Sequence, residues 1–305
     1  MIANKLLPGD TIGIVSPASP EDRNVIDKGV EYLKQLGFKI KLGKTVYSKV
    51  GFLAGSDEER AEDLMNMFLD PQVSMILCMR GGYGTMRLLP YLNFDIIKAN
   101  PKIFMGYSDI TTLLNIIYQK TGLITFHGPM VTSNISEKYT LNSFLETITK
   151  STYTYTLNNP YYLPVECSVR GISEGCIVGG NLCLLCSTLG TPYEIDTKDK
   201  ILFLEEIGEA PYKIDRMLTQ LNLSGKLSEC SGFILGQFKD CSLPNYNRSF
   251  TLDEILENQI FSLKKPTINH VMSGHSYPKL TLPIGAKARI DSTLGKIVIL
   301  DSVVH

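Results

Sequence analysis

The chain has almost no net charge: 30 Lys and Arg stand against 31 Asp and Glu in 305 residues. Such a balance provides no field for gathering nucleic acid or anionic lipid, so neither is expected as a partner. A membrane-compatible run is also missing. The uncharged stretch from Gly175 to Tyr193 carries four glycines together with Asn181, Ser187, Thr188 and Thr191. That is too polar for a span and reads as strand, glycine turn and buried helix, so no membrane association is expected. The first ten residues hold one Lys and only two consecutive leucines before Pro8-Gly9. No secretory signal region is legible there, and a cytoplasmic location is expected.

A disulfide framework is lacking too. The seven cysteines are odd in number and unevenly spread, as in a reducing compartment. Cys183 and Cys186 form one C-x-x-C, but no second pair or nearby His completes a zinc site. In their Leu-rich stretch they read as small apolar filling. No metal and no cofactor are expected.

What is present is the composition of a soluble globular protein, 44% hydrophobic and 20% charged. The length suggests one large domain or two ordinary ones. The first half alternates apolar strands with amphipathic helices. Thr11–Ser16 is a strand, and a helix follows to about Leu36 with Ile26, Val30 and Leu33 on one face. Ser56 and Glu59 have capping-box spacing ahead of Ala61, Leu64, Met65 and Phe68. Ser74–Cys78 and Lys102–Met105 are further strands, and Ile110–Tyr118 is an apolar helix. This alternation predicts a mostly parallel sheet covered on both faces. Residues 152–164, rich in Tyr, Thr, Asn and Pro, read as a linker or edge strand. Short strands and few helices follow, with Pro211–Leu223 one of the helices. The expected organisation is an N-terminal α/β domain over residues 1–155 and a smaller β-rich α+β domain over 156–305.

Four segments could carry chemistry. In Gly106-Tyr-Ser-Asp-Ile110 a strand ends and an apolar helix begins at once, which puts Ser108 on a sharp turn with its hydroxyl beyond the strand end. Such a serine can be a nucleophile whose developing oxyanion meets a backbone N–H. Local pattern alone favours the plainer reading that Ser108 caps the helix. A serine nucleophile requires a base, and the only histidines are His127, His270, His275 and His305. His275, in the polar loop Ser273-Gly-His-Ser276, is placed where catalytic bases are often found. The third partner is a carboxylate, and the apolar run Ile201–Leu204 leads into Glu205 and Glu206. Local reasoning does not choose between them. Finally, Arg80-Gly-Gly-Tyr-Gly84 follows a strand, and its glycines let backbone N–H groups approach a ligand. It fits neither nucleotide-binding glycine pattern, and a plain tight turn is the alternative.

Taken together, and in order, these segments resemble the LD-carboxypeptidases, or muramoyltetrapeptide carboxypeptidases. The resemblance covers Gly9–Pro17, Arg80–Gly84, Gly106–Asp109, Thr125–Pro129, Gly179–Leu182, Phe203–Glu206, Pro211–Leu218, Gly274-His275 and Thr281–Gly285. It implies a flavodoxin-like or Rossmann-like N-terminal domain and a triad of Ser108, Glu205 and His275, choosing the first acid of the pair. It implies oxyanion donors at the Asp109 N–H and at Gly81 or Gly82. Tyr83 and Asn181, inside two of the matching stretches, are candidate substrate contacts. The implied reaction removes D-alanine from an L-centre in a cell-wall tetrapeptide, in murein recycling, and the implied assembly is a homodimer. A related branch hydrolyses microcin C-type peptide–nucleotide conjugates with the same triad. It usually departs from the Arg80–Gly84 and Pro211–Arg216 segments retained here. A non-catalytic protein holding an anion at the Gly81-Gly82 loop and the Ser108 helix start is the alternative from another class.

Overall fold

The computed structural model describes residues 1–245 and 247–305. Its strands, in chain order, are β1 (Thr11–Val15), β2 (Lys39–Leu42), β3 (Val73–Cys78), β4 (Ile103–Gly106), β5 (Thr125–His127), β6 (Tyr155–Leu157) and β7 (Glu166–Val169). They continue as β8 (Ile172–Asn181), β9 (Ile201–Ile207), β10 (Gly232–Lys239), β11 (Thr267–Asn269), β12 (Leu282–Ile284), β13 (Lys287–Asp291) and β14 (Lys296–Ile299). Two compact units emerge. The first comprises Met1–Thr152, Thr281–Gly285 and Ser302–His305, and the second Tyr153–Leu280 and Ala286–Asp301. The partition is therefore not one cut in the sequence: two short C-terminal segments return to the first unit.

The first unit is built on a six-stranded sheet in the order β12-β5-β4-β3-β1-β2. The pairs among β1 to β5 are parallel, and β12 adds antiparallel to β5, with Leu282 opposite His127. The central strands are buried almost throughout, as expected of a parallel sheet covered on both faces. The covering helices are α1 (Arg23–Gln35), α2 (Asp57–Leu69), α3 (Phe94–Ala99), α4 (Thr111–Thr121) and α5 (Lys138–Thr149). The stripe Ile26, Val30, Leu33 is buried in α1. The capping box at α2 is formed: Glu59 N–H donates to Ser56 Oγ at 3.2 Å, and Ser56 N–H donates to Glu59 Oε2 at 2.9 Å. Helix α3 is only six residues long, and α5, with Leu141, Phe144, Leu145 and Ile148 at helical spacing, buries Phe144 and Ile148 beside Thr140 and Thr147.

The second unit holds an eight-stranded sheet in the order β6-β14-β13-β8-β9-β10-β11-β7. A parallel quartet, β8-β9-β10-β11, lies at its centre, and antiparallel strands flank it on both sides. Strand β8 runs ten residues, far beyond the Cys176–Val178 that its apolar pattern suggests. Glycines interrupt that pattern for a packing reason: a Cβ on Gly179 would lie 2.0 Å from the Phe203 carbonyl oxygen of β9. Segment 152–164 contributes the edge strand β6. Helices α6 (Leu182–Ser187), α7 (Pro211–Leu223), α8 (Lys226–Glu229) and α9 (Leu252–Gln259) complete the unit. Among the described residues no helix is long and apolar enough to cross a membrane.

Candidate active site

In the first unit, β4 ends at Gly106, and the chain turns through a short 3-10 segment, Ser108–Ile110, directly into α4. Ser108 sits in the left-handed region at φ 64°, a conformation costing a non-glycine residue about 1–3 kcal/mol and kept where the surroundings impose it. Neither the 3-10 turn nor α4 takes a side-chain cap. The capping reading of Ser108 is thus replaced by that of a strained strand-to-helix elbow. Its tightness explains Gly106, where a Cβ would meet Ile110 Cγ2 at 2.8 Å. The Ile110 side chain accordingly packs on the glycine, and no second glycine is needed four residues on.

The Arg80–Gly84 loop lies against this elbow. A Cβ on Gly81 would stand 2.8 Å from Ser108 Cβ, 3.0 Å from Ser108 Oγ and 3.3 Å from the Asp109 nitrogen. Gly81 therefore leaves open the space beside the hydroxyl and the Asp109 amide. Gly82 adopts φ 118°, and a Cβ there would collide with Ser19 Oγ at 2.3 Å. That same hydroxyl accepts the Tyr83 N–H at 3.1 Å. Tyr83 is half exposed, its ring edge-on to Phe52 with centroids 5.5 Å apart. Arg80 donates from Nε to the Gly81 carbonyl at 3.3 Å and pairs with Glu21 at 3.1 Å.

Two buried groups hold the loop: Asp109 ties it to the elbow, and Arg60 ties it to the chain at Pro17 and Gly55. The Asp109 carboxylate accepts the Thr85 N–H at 2.9 Å, and the Thr85 hydroxyl donates to the Asp109 carbonyl at 2.6 Å. Burial raises the Asp109 pKa, opposed by the Thr85 bonds and by Arg60. The Arg60 guanidinium, fully buried, donates to the carbonyls of Pro17, Gly84 (3.1 Å) and Gly55 (3.3 Å) and pairs with Asp57. Sequence reasoning missed Thr85 and Arg60. For Arg60 a signal existed: it lies four residues before Leu64, on the buried face of α2.

In the second unit, β9 ends in the two acids, both buried, and their partners separate them. Glu205 Oε2 lies 2.7 Å from His275 Nδ1. Glu206 instead accepts from Asn181 Nδ2, from the Cys183 N–H at the start of α6 and from the Ile207 N–H, each at 2.8 Å. Glu206 thus serves the α6 start, and Glu205 faces the histidine. Asn181 is a buried N-cap that also accepts the Leu184 N–H at 3.3 Å. The Ser273–Ser276 loop is tied to β10 by Gln237, whose N–H donates to the Ser273 carbonyl and whose Oε1 accepts the Ser276 N–H. Gly274, at φ 141°, lets the loop close on the acid: a Cβ there would lie 3.1 Å from Glu205 Oε2.

Of the other histidines, one lies in the strand beside the elbow, paired in register with Gly106. His127 is buried at the end of β5 with its ring against Tyr107, and His270 is exposed and paired with Glu166 at 3.2 Å. All seven cysteines are free thiols, and burial pushes Cys186 and Cys230 up to about 12 and Cys241 to about 11. Among the described residues no group of three or more His, Cys, Asp or Glu is placed to hold a metal ion.

The first unit thus carries a serine elbow beside a glycine loop, and the second carries an imidazole held by a buried carboxylate. Models of the LD-carboxypeptidase N-terminal and C-terminal domains match residues 12–128 and 174–290. The chain belongs to the LD-carboxypeptidase family of peptidases. It is 44% identical to a probable murein peptide carboxypeptidase of Bacillus subtilis, over 93% of this chain and 89% of the relative. Among solved structures it resembles MccF in complex with glutamyl sulfamoyl guanosine, at TM-score 0.93 and 30% identity over 100% and 99% of the two chains. It also resembles a muramoyltetrapeptide carboxypeptidase from Oxalobacter formigenes, at TM-score 0.82 and 31% identity over 95% and 97%.

Proposed function

We propose that the protein is a serine LD-carboxypeptidase that releases the terminal D-alanine of murein tetrapeptides, with Ser108, His275 and Glu205 as its triad. The reading is carried by the 2.7 Å contact between Glu205 and His275, in a chain whose family cleaves peptides. Glu205 accepts the Nδ1–H and so leaves the Nε2 lone pair as the base. Nε2 takes the Ser108 proton as Oγ attacks the carbonyl carbon of the L-centre. The resulting oxyanion is met by the Asp109 N–H and by that of Gly81 or Gly82. Collapse of the tetrahedral intermediate breaks the C–N bond, and the D-alanine amine leaves with the proton from His275. Water, deprotonated by the same imidazole, then hydrolyses the ester. Tyr83, half exposed in the Arg80–Gly84 loop, is the proposed substrate contact, while Asn181 acts from behind Glu206.

The likeness to MccF favours one second reading, hydrolysis of an aminoacyl-nucleotide conjugate. Measuring kcat/KM on a tetrapeptide ending in D-alanine, on its L-alanine epimer and on an aminoacyl sulfamoyl nucleotide separates the two. The carboxypeptidase reading predicts a preference for the D-epimer over the L-epimer of roughly a hundredfold or more, because a misplaced carboxylate leaves buried polar partners unmatched. Preference for the nucleotide conjugate would move the assignment to the other branch. We place the enzyme in the cytoplasm as a homodimer acting in murein recycling. Seven free thiols fit a reducing compartment, and light scattering should give about twice the 33.9 kDa chain mass.

A further inference from the structure

Beyond the three proposed triad residues, the second unit buries one more charged side chain beside the base. Lys279 is wholly inaccessible. Its Nζ donates to the carbonyl of Gly274, the residue immediately before His275, and lies 5.3 Å from the centre of the Tyr277 ring. The charged groups acting on it are Glu205 from β9 and Lys239 from the end of β10. A lysine is an expensive way to tie down a loop that Gln237 already holds at Ser273 and Ser276. An ammonium here does something an apolar residue would not: it fixes the backbone on the N-terminal side of His275 and presents positive charge to the carboxylate that holds the imidazole.

We propose that Lys279 is a positioning residue for the base, holding the His275 loop in register with Glu205 and moderating the charge of the Glu205–His275 pair. The inference rests on the triad reading but concerns a residue outside it. Burial pushes the Lys279 pKa down to about 7, with Glu205 opposing the shift, so the side chain is cationic on the acid side of neutrality. There it sets a cation beside the carboxylate that holds the imidazole.

The test compares Lys279→Met, which removes donor and charge, with Lys279→Gln, which keeps a donor without charge. Ser108→Ala and His275→Ala are run in the same D-alanine-release assay. We expect Lys279→Met to lower kcat about tenfold or more with KM within about twofold, and to move the acid limb of the kcat/KM profile upward by about half a pH unit. Lys279→Gln should recover much of kcat while keeping the moved limb. A folded Lys279→Met or Lys279→Gln with the parent kcat and the parent acid limb overturns the proposal. So does failure of both variants to fold, which would assign Lys279 to the core alone. If Ser108→Ala or His275→Ala stays active, the triad reading itself falls. If those two lose activity and the Lys279 variants do not, only the positioning role falls.

Discussion

Glu205 and Glu206 are adjacent, yet a strand sends successive side chains to opposite faces, so two buried acids acquire unrelated partners. One meets His275; the other meets Asn181 and the Cys183 amide of α6. Sequence could not make this choice by itself, since alternation says that the faces differ but not what each one meets. Resemblance to the LD-carboxypeptidases is what points to Glu205. Glu205→Gln should therefore lower kcat by roughly a thousandfold or more by spoiling the imidazole tautomer, with little change in KM. Glu206→Gln should instead act on stability, because its loss leaves the Cys183 amide and Asn181 less well satisfied. Steady-state kinetics beside thermal melts of both variants checks this division, and equal loss of kcat in both would contradict it.

At the level of elements, the elbow was legible because its parts are local: an apolar strand, Gly106, a serine and an apolar helix in unbroken order. The strain at Ser108 and the packing of Ile110 on Gly106 were not, since both depend on three-dimensional closeness within the turn. The same holds for Gly81, which sequence offered equally as a plain turn. Gly81→Ala should lower kcat/KM about a hundredfold or more, the order expected when an oxyanion donor is misplaced, because a Cβ would press on Ser108 at 2.8 Å. Kinetics of that variant decides between a passive turn and a loop shaped around the nucleophile.

The loop after Gly274 carries a pH signature of its own. Unfolded, Lys279 holds its proton up to about pH 10.4; folded, it releases it near 7. Between those values the unfolded chain binds more protons, so this group makes stability rise with pH from about 7 to about 10. The buried Lys102, lowered to about 8, acts in the same direction over a narrower window. Thermal midpoints measured across that range should rise less steeply in Lys279→Met than in the parent. An unchanged slope would show that Lys279 is not held in its shifted state.

For the whole molecule, composition and strand–helix alternation were enough to announce a covered parallel sheet followed by a β-rich region. What they could not show is that the chain leaves the second unit at residue 281 to add β12 to β5 and comes back at 286. A three-residue apolar strand containing Pro283 has no periodicity to read, and an antiparallel edge position is where a strand tolerates proline. Nor could alternation reveal the parallel quartet inside the second sheet, because glycines admitted for close strand contact break the apolar run of β8.

The proposed role of Ser108 as nucleophile toward a murein tetrapeptide is open to one direct comparison. The specificity constant for D-alanine release from an L-Ala-D-Glu-(L-centre)-D-Ala tetrapeptide is measured for the parent and for Ser108→Ala. The parent should release D-alanine readily, and Ser108→Ala should be slower by about ten-thousandfold or more, as when the nucleophile of a serine triad is removed. A Ser108→Ala enzyme within about tenfold of the parent, with its fold intact, would rule Ser108 out as the nucleophile.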